Sequence, residues 1–392
     1  MGDHPETGRT GPLAGLRVVE LAGLGPGPFC GMLLADLGAD VVRVDRAGRN
    51  PGNPVAPEDD LLNRGKRSIV LDLKSAGGRC VARRLVDRAD ALIEGFRPGV
   101  VERLGLGPAE CLASNPGLVY GRMTGYGQEG PLSTMAGHDI NYIAVAGALA
   151  PIGAQNGPPV IPLNMVGDFG GGGMLLAFGM VSAILKSRET GLGQVVDAAI
   201  VDGAALLTTM QHAWARVGLW SEQRGTNMLD GGAHFYAVYE CSDGKYLSIG
   251  AIEPAFYTTL LKGLGLDDDE DFVGGHTDRR MWPQLKRRLA ERLLQRPRQE
   301  WLDRLADDDA CVAPVLSLSE ATRDPHNRQR GTFVDVDGAV QPSPAPRFSH
   351  TPTQPPAPPV PPGTHTRQVL ADLEIAEHEI DALLRDGSAV SP

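Results

Sequence analysis

The chain has 392 residues, 42% of them hydrophobic, and a formal net charge of −11. That is enough apolar material for two packed domains, while the acidic surplus excludes general nucleic-acid binding, which needs cations to neutralise phosphates. The 50 glycines and 31 prolines favour many tight connections, and five cysteines with no C-x-x-C pair fit reduced thiols in a cytosolic protein.

Residues 1–12 read as a polar terminal segment. Residues 16–21 follow as a short strand, 23–28 as a Gly/Pro turn, 29–37 as a helix stopped by Gly38, and 39–45 as a second strand. Strand, turn, helix, strand is a βαβ unit. The pattern recurs with a strand at 68–73, a helix at 77–88, and strands at 91–94 and 118–123. Such alternation predicts a Rossmann-like, mainly parallel open sheet covered by helices. Residues 171–186 read as an apolar helix, and 195–220, apolar nearly all round, as a second long buried one. The composition changes near 221. Segments 236–241 and 245–250 flank Ser242-Asp243-Gly244 as a hairpin, and 254–266 and 281–305 read as helices. Residues 341–363 form a Pro-rich, extended strap, and 375–384 a closing helix. This reading divides the chain into a large α/β domain (1–205), a linker (206–234), a smaller inserted α+β domain (235–318) and a return to the large domain (319–392). The N-terminus lacks the apolar core of a signal peptide. No apolar run approaches the roughly 18 residues of a membrane helix, so no membrane partner is expected.

Arg64 and Lys66 precede the third strand and Asp72 ends it. Arg46 ends the second strand, and Arg97 and Arg103 follow the strand at 91–94. Open α/β sheets bind ligands beyond the carboxyl ends of their strands, where cations hold phosphates by charge-assisted hydrogen bonds. Singly, each of these cations reads as solvated surface. As a set, in so acidic a chain, they point to an anionic ligand. The turn at 23–27 departs from a dinucleotide fingerprint: the final glycine is missing, and Pro26 and Pro28 remove amide donors. This argues against NAD. His138, Asp168 and Glu253 each lie in a Gly- or Pro-flanked segment. Singly they read as a loop histidine, a helix N-cap and a strand end. Together, a base on one side of a carbon and an acid on the other are what a 1,1-proton transfer needs. No His/Cys spacing suggests a metal.

Ala136-Gly137-His138-Asp139-Ile140-Asn141-Tyr142, Gly167-Asp168-Phe169-Gly170 and Gly250-Ala251-Ile252-Glu253-Pro254 resemble motifs of the α-methylacyl-CoA racemases, a branch of the family III CoA-transferases. Asn63 to Ser68, Leu71 to Lys74, and the stretches 89–99 and 103–106 resemble the family's CoA-binding face. The resemblance implies a large α/β domain built from both chain ends, a smaller inserted domain and an interlocked homodimer. Each site would lie between the large domain of one subunit and the small domain of the other. It also implies that Arg46, Arg97 and Arg103 bind the CoA phosphates, that His138 and Asp168 are the two bases, and that Glu253 partners His138. Coenzyme A would be part of the acyl-CoA substrate, with no separate cofactor. The expected activity is epimerisation of 2-methylacyl-CoA thioesters through an enolate. The alternative is a CoA-transferase in which Asp139 is the nucleophile; a non-enzymatic CoA-ester binding protein would not need His138 or Asp168. Amides of the 137–139 turn and the 168–172 helix start are the expected partners of the enolate oxygen. A helix N-terminus lowers the pKa of an Asp, whereas a returning acid must hold a proton, so burial has to raise Asp168. Met165, Met174, Met210 and Met228 offer an adaptable apolar surface for the acyl chain.

Overall fold

In the computed structural model, which describes residues 8–48, 52–305 and 309–392, the β-branched runs of the first half form one sheet. Its strands are β1 (Arg17–Leu21), β2 (Asp40–Asp45), β3 (Arg67–Leu71), β4 (Ala91–Glu94), β5 (Val119–Thr124) and β6 (Gln194–Ala199). Between them run α1 (Pro26–Asp36), α2 (Ala76–Asp87), α3 (Val100–Arg103), α4 (Pro108–Ser114) and α5 (Asp139–Val145). A wide π-helix over Met165–Met174 leads into α6 (Leu175–Thr190), and α7 (Ile200–Leu207) follows β6. The spatial order is 3-2-1-4-5-6 with all these neighbours parallel, and a last strand, Ala389–Val390, joins β3 antiparallel.

Alternate residues feed opposite faces, and both faces are covered, as a parallel sheet requires. Leu92 and Tyr120 pack on one side with Val81 and Leu85 of α2 and with Leu370 and Ile380 near the C-terminus. Ile93 and Val119 pack on the other with Leu34 of α1 and Leu176 and Met180 of α6. Chain order reverses between β1 and β4, so the loops after these two strands open the crevice where such sheets bind ligands.

Of the described residues, those up to Ala146, Leu163–Leu207 and His326–Pro392 form this unit, and those in Gly147–Pro162 and Thr208–Pro325 form a second. The second unit starts its main run with α8 (Thr209–Arg216) and has a three-stranded antiparallel sheet of β7 (Tyr236–Glu240), β8 (Tyr246–Gly250) and β9 (Val312–Pro314). Its helices α9 (Pro254–Leu264), α10 (Glu270–Gly275), α11 (Trp282–Leu293) and α12 (Arg298–Leu305) close over a core around Phe272, Leu285 and Trp301.

Several expectations are corrected. Residues 195–220 are not one helix but strand β6, then α7, then α8. An apolar run has the same look in a helix and in a strand, and here Val195 and Val196 pair with β5. The predicted helix at 281–305 is two, α11 and α12, the second starting just after Pro297, where proline cannot continue the ladder. Residues 147–162, counted with the large domain, and 208–234, read as linker, belong to the second unit. The apolar helix also extends further than expected. Met165–Thr190 is a continuous run of 26 residues with mean hydropathy 1.5 in its 18-residue window, by length and composition enough to cross a membrane. Its buried side chains include Leu176, Met180 and Ile184.

Candidate active site

The π-helix and α5 bring Asp168, Asp139 and His138 together at the switch point of the sheet. Asp168 lies within the π-helix and does not cap it, that position being held by Asn164. Its backbone N–H donates to Asp139 Oδ2 at 2.6 Å. Its carboxylate faces Gly25, in the loop after β1, and takes a long 3.5 Å contact from Asn164 Nδ2. Burial, and next to it the Asp139 carboxylate, push Asp168 above the usual aspartate range; Asn164 and the nearby His138 oppose this. The π-helix can approach its neighbours because of its glycines. A Cβ on Gly167 would collide with the Asp139 carboxylate, and one on Gly171 with the backbone of Gly203 and Ala204 in α7.

His138 stands in extended conformation (φ −132°) just before α5, with an exposed ring. Its amide donates to Asn141 Oδ1 at 3.0 Å, which fixes the turn. Asp139, the first residue of α5, is buried at 7% exposure. Three of the amides expected to meet an enolate are already committed: His138 N to Asn141, Asp168 N to Asp139, and Phe169 N to the Asn164 carbonyl.

Tyr142 and Tyr126 were not singled out from the sequence. Their rings meet edge to face at 4.8 Å, and the Tyr142 hydroxyl donates to the Gly137 carbonyl. Burial pushes the Tyr142 phenol up, followed by Tyr126 and Asp168, while Arg97 acts against them. Arg97 therefore lies within electrostatic reach of the site. The signal was present in the sequence: Gly125 and Gly137, where any Cβ would meet the Tyr142 ring, lie near it in the chain.

The proposed phosphate cations separate into two groups. Arg46, Arg97 and Arg103 are exposed, Arg97 in the turn that Glu94 braces by accepting the Phe96 N–H at 2.8 Å. Arg64 and Lys66 correct the sequence reading, because both are buried at 3% exposure. Arg64 forms a bidentate pair with Asp36 and donates to Gln341 and the Pro342 carbonyl. Lys66 Nζ bonds Glu20 at 2.7 Å and the Pro28 carbonyl at 2.9 Å. Their charges serve the fold beneath α1 instead of facing a ligand. Asp72 is exposed and accepts the Lys74 amide at 2.9 Å, shaping the turn after β3.

Glu253 belongs to the second unit, exposed at the start of α9, where its carbonyl accepts the Tyr257 amide at 3.0 Å. Its charge helps raise the neighbouring Cys311 thiol, after burial and Asp309. Among the described residues, no group of three or more His, Cys, Asp or Glu side chains is placed to hold a metal ion.

The model of family III CoA-transferases matches residues 13–366. The chain is 46% identical over 376 residues to the alpha-methylacyl-CoA racemase of Mus musculus, covering 95% of this chain and 96% of that one. It is 44% identical to the Homo sapiens enzyme of the same name over the same shares. An acetyl-CoA:oxalate CoA-transferase of Acetobacter aceti is 31% identical over 85% of this chain and 88% of its own. The crystal structure of a CAIB/BAIF family protein from Brucella suis superposes with a TM-score of 0.81 at 29% identity, over 93% of this chain and all of that one.

Proposed function

The chain belongs to family III of the CoA-transferases, and from that premise we propose that it epimerises 2-methylacyl-CoA thioesters by proton transfer between His138 and Asp168. The observation that carries the reading is Asp168: a partly buried carboxyl, raised in proton affinity, facing the loop after β1 and within reach of the charge of His138. Such a group can hold a proton and return it. In one direction the neutral imidazole removes the C2 proton and Asp168 delivers one to the opposite face; in the other the roles exchange. The thioester oxygen gathers charge in between. We assign that charge to the Asp139 N–H, one of the amides expected for the role, which as the first of α5 has no partner four residues back within its helix. Glu253 enters as the carboxylate that orients the imidazole, the role the family resemblance gives it. Arg46, Arg97 and Arg103, exposed beyond the strand ends, are assigned to the CoA phosphates.

CoA transfer through Asp139 is the less favoured reading. Its carboxylate is buried and bonded to the Asp168 amide, a poor position from which to attack an acyl carbon. We also propose a homodimer, because Met174, Phe178, Val181 and Leu185 form an exposed apolar stripe along the 165–190 helix.

The test is one epimer of a 2-methylacyl-CoA in deuterated water. Epimerisation with deuterium at C2, without an acceptor acid, is expected of the native chain. H138A and D168A should each slow it by about 10²–10⁴-fold while the ester still binds, whereas Arg97→Ala should raise KM more than it lowers kcat. Native rates in both His138 and Asp168 variants would refute the two-base assignment.

A further inference from the structure

We propose that Asp139 is a positioning residue and not a nucleophile in this chain: fixed against the Asp168 amide, its negative charge keeps Asp168 able to carry a proton. The inference rests on the two-base reading and assigns a role to the third carboxyl of the site.

The geometry divides the Asp139 carboxylate into two differently committed oxygens. Oδ2 accepts the Asp168 N–H at 2.6 Å. Oδ1 is enclosed and has no hydrogen-bond partner among the protein groups. Neither is presented as a nucleophile's oxygen must be. Leaving one oxygen of a buried carboxylate unpartnered is costly in folding free energy. The surrounding sequence nevertheless accommodates it, since residue 167 lacks the Cβ that would exclude the carboxylate. The groups acting on Asp168 are Asp139 from α5, His138 just before α5, and Asn164 and the Tyr142 phenol beside it. Arg97 faces that phenol from the turn after β4. Of these, only Asp139 is an anion, and two neighbouring carboxyls do not both ionise freely. The Asp139 charge therefore works with burial, and against His138 and Asn164, to keep a proton on Asp168. This answers the difficulty seen in the sequence, where a helix start alone would have made Asp168 a stronger acid.

The test is Asp139→Asn, which keeps an oxygen for the Asp168 amide but removes the charge. D139S is a second neutral variant in case the first folds poorly. Thermal unfolding and CoA-ester binding establish that each variant is folded. The rate of C2 epimerisation is then followed against pH from each epimer of a 2-methylacyl-CoA. The working pair shares one proton, and the acid limb of kcat/KM reports uptake of a second. With Asp139 neutral, that limb should move to lower pH. In addition, kcat/KM at pH 7 should fall by about tenfold or more, equally from both epimers, as reversibility requires. A fall at every pH with the acid limb unmoved would mean that Asp139 only fixes the amide, and would overturn the proposal. Unchanged epimerisation, with loss of CoA transfer to added oxalate, would overturn it in favour of a nucleophile. Asp168→Asn in the same assay tests the parent reading: native epimerisation there would sink the two-base mechanism whatever Asp139 does.

Discussion

A single methyl group at residue 167 is enough to disturb the site. On that backbone a Cβ would overlap the Asp139 carboxylate and lie 2.9 Å from Ile143 Cγ2. Gly167→Ala should therefore destabilise by about 1–3 kcal/mol, the usual cost of overpacking. Because it displaces the carboxylate bonded to the Asp168 amide, it should also lower kcat, by about 10²-fold if the shift reaches 1 Å. Thermal melts and epimerisation rates of the same preparation check both; a full rate at a lowered melting temperature would separate packing from chemistry. The close approach of His138, Asp139 and Asp168 had its signal in the adjacent Gly137 and Gly167, where a Cβ would meet the Tyr142 ring and the Asp139 carboxylate. Arg64 and Lys66 were misread because sequence displays charge but not depth. Their partners Asp36 and Glu20 lie 28 and 46 residues away, beyond any local pattern.

At the scale of elements, the helix over residues 165–190 presents two different faces. Leu176, Met180 and Ile184 are buried against the sheet, while Phe178 and Leu185 are 72% and 74% exposed. Spacings of four, three and four residues from Met174 through Phe178 and Val181 to Leu185 put the exposed set on one stripe, the pattern of a helix with a partner still to meet. Phe178→Asp should convert a dimer into monomers in sedimentation velocity without unfolding them; an unchanged sedimentation coefficient would remove this stripe from the interface. The apolar character of this helix was readable in the sequence, but its π-helical opening was not, since width of turn follows from close backbone contacts with α1 and α7. The same ambiguity hid β6. A run apolar on all sides specifies burial and leaves the period undetermined, and only pairing with β5 decides it.

Over the whole molecule, the parallel sheet was legible because successive βαβ signals leave few topologies, whereas the second unit's polar interior was not. His234 is completely buried there. Its Nε2 lies 2.7 Å from the Tyr257 hydroxyl, which itself donates to the Phe272 carbonyl at 2.8 Å. The hydroxyl must then accept from the imidazole, so the ring proton resides on Nε2, and the enclosed Nδ1 has no partner. The rings of Phe235, Tyr257 and Phe272 surround it, and burial, followed by His276, depresses the His234 pKa to about 3. His276, stacked on Tyr257, is lowered as well, chiefly by burial. The folded pKa lies below that of the unfolded chain, so the unfolded state takes up protons first as pH falls. For His234, stability is therefore full above about pH 6.5 and is lost toward pH 3, at about 1.4 kcal/mol per pH unit, and the lowered His276 acts in the same direction. Guanidinium midpoints measured between pH 7 and pH 4 should fall accordingly, and in His234→Gln the slope should shrink by one proton. A variant that keeps the full slope would show that acid attacks the molecule elsewhere. If the slope shrinks, the second unit, which carries Glu253, is the part that low pH dismantles.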